Sequence, residues 1–475
     1  MVATVTDTLR KTISELFLDQ INSLTDSNDF YIGIGKSDNY NATDAVISPV
    51  RSFREERQLR NNLQSVKKVE AASLVIPRFN WTAGTIFSAF SDAVEGLPTN
   101  AYYVLTANNE VYICLEQARD ANGAAQTSTI QPNYATQGTT ITEPFKTSDG
   151  YMWKFLFDLS AARAAAFLST NFLPVRLIDS GQQSVDASSQ NQYNVQNTAI
   201  DGQILGVIVT NGGTGYSSSS PPTISFRGDG DSDARANATV VGGAITKIEM
   251  EGEKSFGKGF TDAQVIISGS GGAKARAIIS PIGGIGSNPL VDLKASNVML
   301  NIKPDGSVST NVDEQFVIDN TFRQIGLFKN IESMDSAGGS GGRFRGISAR
   351  TSNAIKFQTT VQAASFTTNK GRLMQDSANG VKAFVDDIAD SSVFYHQNDS
   401  SGFGVFHVGS TVSGLAAGSG VVDSSATSFG GLIGQGSKVK PKVNSHSGEL
   451  LYVENRAAIL RDTSQQEDIK VIITV

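Results

Sequence analysis

The carboxyl end of the chain places the strongest constraint on the fold. Ile469, Val471, Ile473 and Val475 recur at a period of two, which is the spacing of a half-buried β-strand. A chain terminus is usually frayed unless it is held in a sheet. This run therefore predicts a terminal strand that completes a core begun near the amino end, and we expect the sequence between the two ends to contain inserted domains.

The length of the chain requires more than one core. The protein has 475 residues, whereas single hydrophobic cores stop growing at roughly 250–300 residues. Stretches rich in glycine, serine and other polar residues interrupt the apolar pattern and mark the expected boundaries. The predicted core comprises 1–181, 291–335 and 441–475, and the two predicted inserted β domains comprise 182–290 and 336–440.

The composition favours strands joined by tight turns. Glycine is frequent, at 46 residues, and proline is limited to 12, which is typical of β-rich structure and not of a disordered chain. The predicted fold class is mainly β with a few helices (α+β), built around a β-sandwich core. The net charge of −7 argues against nucleic acid as a partner, because such a binder needs a basic face to neutralise phosphates.

The sequence shows neither a membrane-spanning segment nor a secretion signal. It has no apolar run close to the ~18 residues that span a bilayer, and its amino end lacks the pattern of a secretion signal. We expect a protein that is made in the cytoplasm, stays soluble and does not insert into a membrane.

An amphipathic helix is predicted at residues 6–24. Thr6 or Thr8 can cap it. Its apolar residues recur at three- and four-residue spacing and are Leu9, Ile13, Leu16, Phe17, Ile21 and Leu24. We expect this apolar face to pack on the helix's own domain; a partner-binding arm is the alternative.

Two motifs that could bind a ligand are weak. Gly35-Lys36-Ser37 ends like a phosphate-binding loop, but Phe30 stands where that loop needs a glycine, so a strand-to-loop turn is favoured. The acidic run 229–233 lacks the glutamate that closes a calcium loop, so the tip of a hairpin is favoured there.

The sequence assigns no residue to a catalytic, cofactor-binding or metal site. Cys114 is the one cysteine and lies in an apolar, strand-like run, which indicates a buried thiol. His396, His407 and His446 do not have the spacing of metal ligands. We therefore expect a protein that is not an enzyme and has no cofactor.

Other stretches predict individual elements. Residues 101–105 and 110–115 predict a hairpin, and 151–159 predicts a strand whose aromatic side chains form a core or, if exposed, an interface. The polar stretch 179–200 is typical of a linker. Residues 50–70 carry charges of both signs, which indicates a solvated or subunit-facing segment.

An internal repeat follows the predicted linker. The sequence of residues 204–216 is similar to that of 245–260. In addition, Gly228 and the stretch that begins at residue 234 recur with the same spacing as Gly269 and the stretch that begins at residue 275. Each copy predicts about four short strands joined by glycine turns. Two such copies can pack their apolar faces together into one small β domain.

The second predicted insertion begins after the glycine-rich run 338–342, which indicates a flexible hinge. Strands are predicted at 354–361, 381–385, 392–396 and 402–408, and they favour a small β-barrel or sandwich. We hypothesise that both insertions are peripheral and reach neighbouring proteins.

Five segments carry a resemblance to a known family and occur in the same order as in that family. They are Phe30-Tyr31-Ile32-Gly33-Ile34-Gly35-Lys36-Ser37, Val75-Ile76-Pro77-Arg78-Phe79-Asn80-Trp81, Asp149-Gly150-Tyr151-Met152-Trp153-Lys154-Phe155-Leu156-Phe157, Phe322-Arg323-Gln324-Ile325 and Ser447-Gly448-Glu449-Leu450-Leu451-Tyr452-Val453-Glu454-Asn455-Arg456. Through them the chain resembles the baseplate wedge subunit, the gene eight product family, of T-even-type contractile-tailed phages. Two blocks, roughly 182–290 and 336–440, have no counterpart in it.

The resemblance implies a structural subunit of the tail baseplate in the virion. It implies a homodimer, with other baseplate wedge and fibre-associated proteins as partners, and a β-sandwich core with domains inserted into its loops. It also implies a part in holding the wedge together while the baseplate changes shape on host attachment, which requires interfaces that differ between two states.

A tail-associated protein that binds or hydrolyses glycans is the alternative function. A pair of carboxylates for sugar hydrolysis cannot be recognised from sequence alone. However, a hydrolase groove is usually rich in tryptophan and tyrosine, and both tryptophans of this chain lie in segments that are expected to form the core. Carbohydrate binding by the inserted domains stays open.

Overall fold

The structure is a computed structural model that describes residues 5–22, 28–40, 43, 45–50, 52–304, 316–335, 339–424, 433–435, 438–462 and 467–474. Strands hold 38% of the residues and helices 13%, so the protein is mainly β with a few helices, as the composition predicts. Within those ranges, no helix combines the length and the apolar character needed to cross a membrane.

The secondary structure begins with a helix and ends with a strand. The helices are α1 (Asp7–Asn22), α2 (Phe53–Asn62), α3 (Ala161–Phe167), α4 (Ala187–Asn197), α5 (Pro289–Asp292) and α6 (Thr360–Ala364). The first strands are β1 (Phe30–Gly35), β2 (Leu63–Lys68), β3 (Ala71–Pro77), β4 (Tyr103–Leu105), β5 (Glu110–Glu116), β6 (Phe145–Lys146), β7 (Met152–Asp158), β8 (Phe172–Val175), β9 (Ile204–Asn211), β10 (Ile224–Gly228), β11 (Ala236–Val241), β12 (Ala244–Met250), β13 (Ala263–Ile267), β14 (Lys274–Ile279) and β15 (Asn297–Ile302). The later strands are β16 (Asn320–Lys329), β17 (Glu332–Met334), β18 (Ser340–Arg343), β19 (Ser348–Arg350), β20 (Asn353–Lys356), β21 (Leu373–Asp376), β22 (Lys382–Ala389), β23 (Ser392–His396), β24 (Thr411–Gly414), β25 (Ser419–Val421), β26 (Ile433–Gln435), β27 (Lys438–Lys440), β28 (Val443–Asn444), β29 (Glu449–Arg461) and β30 (Ile469–Thr474).

The chain forms two compact units. The first draws on residues up to Leu18, on Ser73–Met299 and on residues from Ile472, and the second draws on Asp19–Ala72 and Leu300–Val471. This division groups the residues that pack most closely with one another. It does not test the predicted division into a core with two insertions, which stays a prediction. The terminal strand β30 is held in a sheet, as the alternating sequence predicts, although Val475 lies outside the described residues.

The first unit has an aromatic core on an antiparallel sheet of order β4-β5-β7-β6. β4 and β5 form the predicted hairpin, and Asn109 turns the chain with a φ of 59°. Tyr112, Tyr151, Trp153 and Phe155 are buried in one cluster. The aromatic run of β7 is therefore core and not an exposed interface.

The repeat in the first unit has three strands per copy, and the prediction of about four is wrong. The first strand of each copy pairs with the last strand of the other, β9 with β14 and β12 with β11, and the middle strands β10 and β13 pair with each other. The two copies are thus intertwined about a local pseudo-two-fold relation. The expected extra strand is missing because the glycine-rich stretch after β9 forms a loop, in which Gly213 and Gly215 have positive φ.

Helix α4 occupies the stretch that was predicted to be a linker, so that prediction is wrong. Asp186 caps the helix by accepting a hydrogen bond from the Ser189 amide at 2.6 Å. Gln192 and Gln196 donate to the backbone carbonyls of Arg176 and Ile178 at 2.6 and 2.9 Å. The helix is docked largely by amide side chains, which is why its sequence lacks the apolar stripe of an ordinary surface helix.

Helix α1 starts as predicted, because the Thr6 hydroxyl accepts from the Leu9 amide at 3.4 Å. Its packing differs from the prediction. Leu9, Ile13 and Leu16 are exposed, while Ser14 is buried and donates to the Ser296 carbonyl at 2.8 Å. The polar contact of Ser14 turns the other face of the helix inward, so the expectation that the apolar face packs on its own domain is wrong for these residues. Leu24 lies outside the described residues.

The second unit contains an antiparallel sheet of order β19-β2-β1-β16-β29. β1 pairs with β16, and β16 pairs with β29. Adjacent strands of this sheet therefore come from the start, the middle and the end of the chain. The buried side chains of the sheet include Tyr31, Val66 and Phe328.

Strand β2 is buried in this sheet, so the prediction of a solvated or subunit-facing segment at 50–70 is wrong for β2, whereas Arg54 and Arg57 at the start of α2 are exposed as predicted. Lys67 is 3% exposed and donates to the Lys303 carbonyl at 2.6 Å. Arg60 pairs with Glu56 at 2.8 Å and donates to backbone carbonyls. The charges of Arg60 and Lys67 are thus satisfied inside the unit, so a mixture of signs does not mark solvent at these two positions.

Six strands of the second unit close into a small barrel of order β25-β24-β21-β22-β23-β20. The barrel closes where the chain after β20 meets the chain after β25. Phe357 and Val422 form an antiparallel β-bridge there, and the Asp423 amide donates to the Lys356 carbonyl at 2.9 Å. Its interior is apolar and contains Ile355, Phe357, Ala363, Phe366, Met374, Ala383, Val385, Val393, Tyr395, Phe406, Val412 and Val422. A small barrel is what the strand pattern of the second predicted insertion favoured.

Two details of that predicted insertion are corrected. Residues 402–408 are not a strand, because Gly402 has a positive φ and Gly404 lies too close to Val381 for a side chain. The predicted hinge at 338–342 is a strand where it is described, since β18 pairs with β17. Gly338 lies outside the described residues.

Candidate functional site

A polar pocket in the second unit brings together side-chain amides from distant parts of the chain. Its cavity measures about 230 Å³. The amides that line it are Asn39, Gln58, Asn62, Gln324, Asn398 and Asn455. We call this cavity, with its charged residues Lys36, Asp38, Glu55 and Asp399, the amide pocket.

Three of the segments that carry the resemblance contribute to the amide pocket. Lys36 follows β1, Gln324 lies on β16 and Asn455 lies on β29. The sheet register aligns them, because Gln324 is the partner of both Gly35 and Asn455. The pairing of these strands therefore places the three side chains at one end of the sheet.

A relay of four amides crosses the pocket. The Asn398 Nδ2 donates to Asn62 Oδ1 at 2.8 Å, and the Asn62 Nδ2 donates to Gln324 Oε1 at 3.2 Å. The Gln324 Nε2 then donates to Asn455 Oδ1 at 2.9 Å, and the Asn455 Nδ2 donates to the Ile47 carbonyl at 3.0 Å. Each bond fixes the orientation of one amide, so the polar groups of the pocket are held in place before any ligand arrives.

The turn after β1 forms a charged wall of the pocket. Lys36 has a φ of 64°, and its Nζ lies 3.2 Å from Asp38 Oδ1 and 5.2 Å from the centre of the Tyr40 ring. Gly35 approaches Asn62 so closely that a Cβ would lie 2.3 Å from the Asn62 carbonyl oxygen. This is the strand-to-loop turn that was predicted for Gly35-Lys36-Ser37.

The same loop is anchored to β16 and β29 beside the pocket. The Tyr40 hydroxyl donates to the Arg323 carbonyl and accepts from the Arg456 amide at 3.2 Å. The Arg323 guanidinium donates to the Ser37 carbonyl at 2.5 Å and to Asn39 Oδ1 at 2.9 Å. These bonds hold the wall of the pocket on the sheet.

Asp399 lies at the rim of the pocket. Gln58 donates to its Oδ2 at 2.7 Å, and Arg54 reaches the same oxygen at 3.4 Å. The hydrogen bond from Gln58 lowers the pKa of Asp399. The rim therefore carries a negative charge at neutral pH.

A second polar cluster is buried around Asp386 in the same unit. The His396 Nδ1 lies 2.6 Å from Asp386 Oδ1, and the Gln64 Nε2 donates to that oxygen at 2.9 Å. The Ser352 hydroxyl donates to the other oxygen. Because the serine bonds the carboxylate and not the imidazole, the three residues do not form the arrangement that activates a nucleophilic serine.

The remaining residues considered from sequence lie apart from the amide pocket. Cys114 is buried, as predicted, and burial raises the pKa of its thiol. Asp229 accepts from the Thr261 amide at 2.8 Å, and Asp231 accepts from the Lys258 amide at 3.2 Å. Among the residues that the structure describes, no group of three or more histidine, cysteine, aspartate or glutamate side chains could hold a metal ion.

The first unit contains a pair of buried ionisable residues, Asp292 and Lys154, that no sequence pattern predicted. Burial raises the pKa of Asp292 to about 7 and lowers the pKa of Lys154 to about 8. The Gly286 amide donates to Asp292 Oδ2 at 2.7 Å, and the Lys154 Nζ donates to the Ile285 carbonyl at 2.8 Å. Their elements, β7 and α5, are far apart in sequence, so no local pattern joins them.

The amide pocket was missed for the same reason. Its residues come from five parts of the chain, which are the loop after β1, α2, β16, the loop 398–400 and β29, and these meet only after the sheet has formed. The one available signal was the presence of Lys36, Gln324 and Asn455 in the segments that carry the resemblance. No family model matches the chain, and no curated protein matches it significantly.

Proposed function

We propose that the protein is a structural subunit of a phage tail baseplate wedge, which assembles through interfaces with other wedge proteins. The observation that carries the proposal is the pairing of β1, β16 and β29, because each of these neighbouring strands contains one of the resembling segments. This adjacency supports the proposal, because segments that belong to one shared core are expected to meet in the same sheet.

An exposed apolar stripe supports a role in assembly. The stripe runs along one side of α1 and consists of Leu9, Ile13 and Leu16, with Val5 just before the helix. The exposed fractions of these side chains run from 42% to 59%. Apolar residues at helical spacing ordinarily face a core, and contiguous exposed ones mark interaction sites. We propose a homodimer that also binds other wedge and fibre-associated proteins in the virion.

The mass of the purified chain and its binding to other tail proteins test the proposal. Light scattering after size-exclusion chromatography is expected to give the mass of a dimer, and co-expression with the wedge proteins of the same phage is expected to yield a complex. The alternative predicts release of reducing sugar from surface glycans of the host. A monomer that releases such sugar and binds none of the wedge proteins would refute the structural role.

A further inference from the structure

The geometry of the amide pocket points to a binding site for a single neutral sugar unit, and this is the ligand class that we propose for it. The site lies at one end of the five-stranded sheet and takes Asn398, Asp399 and Ser400 from the second predicted insertion. The proposal goes beyond the structural role and does not depend on the baseplate assignment.

The amides match the hydrogen-bonding chemistry of sugar hydroxyls. A hydroxyl both donates and accepts, and a side-chain amide offers two N–H groups and a carbonyl oxygen. In the relay, Asn62, Gln324 and Asn455 each donate through one bond of their NH₂ group. Each of these NH₂ groups has a second N–H besides the one used in the relay.

The charges of the pocket disfavour an anionic ligand. Asp38, Glu55 and Asp399 bring three carboxylates to the lining, and Lys36 is the one cation among the lining residues that the structure describes. Lys36 already pairs with Asp38 at 3.2 Å, and Arg54, outside the lining, pairs with Asp399 at 3.4 Å. A phosphate, a sulfate or a uronic acid would therefore meet three carboxylates while both of these cations are already paired. Neutral hydroxyls, in contrast, can donate to these carboxylates.

The size and the walls of the pocket favour a sugar over a peptide. Its volume of about 230 Å³ is below the range of roughly 300–1,000 Å³ for pockets that hold drug-sized ligands, which suits one ring. Peptide recognition uses a sheet edge or apolar side-chain pockets, but among the lining residues that the structure describes only Ile47 and the Tyr40 ring are apolar. Because the relay bonds these amides to one another and the Tyr40 hydroxyl bonds the loop to β16 and β29, little ordering is needed on binding.

Saturation-transfer NMR on the full chain tests the proposal directly. The probes are glucose, galactose, mannose and N-acetylglucosamine, with glucuronate as the anionic counterpart and glycerol as a non-specific polyol. We expect at least one neutral sugar to bind with a millimolar Kd, as is usual for a ligand of few atoms, and we expect glucuronate and glycerol to give no saturable signal.

Two substitutions at the rim connect the signal to the amide pocket. Gln58→Ala and Asp399→Ala each remove a polar group from the lining, and each is expected to weaken sugar binding about five- to tenfold, the effect of one lost hydrogen bond. Gln190→Ala is the matched control, because Gln190 is an exposed helical amide that donates to Asn194 on α4, away from the pocket. It is expected to leave binding unchanged.

Three results would overturn the proposal. They are the absence of saturable binding by every neutral sugar, equal binding in Gln58→Ala, Asp399→Ala and the parent protein, and binding of glucuronate as tight as that of glucose. Binding of a tetralysine peptide that is lost in Asp399→Ala would assign the pocket to a protein partner instead. None of these results alters the mass or the wedge complex, so failure here is distinct from failure of the structural role.

Discussion

Asp386 accepts hydrogen bonds from side chains of three different elements in the second unit. Its partners are Gln64 of β2, His396 of β23 and Ser352, which follows β19. All four residues are buried. Replacing Asp386 by alanine leaves buried donors without an acceptor, so we expect the free energy of unfolding to fall by about 3–5 kcal/mol. Urea unfolding followed by circular dichroism measures the change.

Asp399→Ala is the control for that substitution. The Asp399 side chain is 53% exposed, and its partners Arg54 and Gln58 lie at the surface, so the expected change is within about 1 kcal/mol. If Asp386→Ala costs no more than Asp399→Ala, the cluster around Asp386 does not stabilise the second unit.

Asp292 gives the first unit a dependence on pH. Burial raises its pKa from 3.8 to about 7, so the folded chain keeps a proton that the unfolded chain releases. The contribution of this group to stability is therefore complete below pH 3.8 and is lost as the pH rises to about 7. Between pH 4 and 7 we expect the parent protein to lose about 1.4 kcal/mol per pH unit relative to Asp292→Asn.

The two tryptophans make this measurement specific. Trp81 and Trp153 both belong to the first unit, so their fluorescence follows its unfolding. Lys154 does not interfere, because burial lowers its pKa to about 8 and it keeps its proton in both states below pH 7. A difference between parent and variant that is constant from pH 4 to 7 would contradict the raised pKa of Asp292.

At the scale of elements, the exposed stripe of α1 makes a prediction about assembly. Ile13→Asp puts a charge on a side chain that is 42% exposed, so we expect the free energy of unfolding to change by less than about 0.5 kcal/mol. We expect the dimer mass and the complex with wedge proteins to be lost, because a partner would have to bury the new carboxylate. Thr12→Asp, next to it on the helix, is the control for the charge itself.

Either of two outcomes would contradict this prediction. Loss of stability in Ile13→Asp would show that the stripe is packed within the protein. An intact dimer and an intact complex would place the interfaces elsewhere.

The pseudo-two-fold relation of the repeat predicts paired effects. A Cβ on Gly230 would lie 2.4 Å from the Phe260 ring, and a Cβ on Gly271 would lie 2.5 Å from the Tyr216 ring. The two ring contacts correspond to each other, and a Cβ on Gly271 would also lie 2.3 Å from the Thr214 carbonyl oxygen. Gly230→Ala and Gly271→Ala should each destabilise the first unit by about 1–3 kcal/mol, measured by tryptophan fluorescence in urea. Gly252→Ala is the control, since no atom lies within 4 Å of its Cβ position. A large effect of only one of the two would refute the equivalence.

Sequence patterns identified the elements that short-range interactions determine. The hairpin of β4 and β5 was predicted because its turn and its alternation lie within one short stretch. α4 was missed because amide contacts from Gln192 and Gln196 replace an apolar face. The amide pocket depends on the register that pairs Gln324 with Asn455, and no local pattern specifies a partner strand so far away in sequence.

At the scale of the whole molecule, the two predicted insertions are attached differently. The ends of the repeat meet, because the Ser280 amide donates to the Gln203 carbonyl at 2.9 Å. The second insertion instead supplies β19 to the five-stranded sheet, where Ala349 is buried. It also supplies Asp386, the acceptor for Gln64. The hypothesis that both insertions are peripheral therefore has structural support for the repeat alone.

Two deletions test this difference. Replacing 204–279 by a short glycine linker joins ends that are already adjacent, so we expect a soluble dimer whose second unit unfolds as in the full chain. Removing 336–440 takes away β19 and leaves Gln64 buried without its acceptor, so we expect the second unit not to fold. Circular dichroism and light scattering measure both outcomes. A folded dimer that lacks 336–440 would show that this block is peripheral after all, and loss of folding without 204–279 would show that the repeat is part of the core.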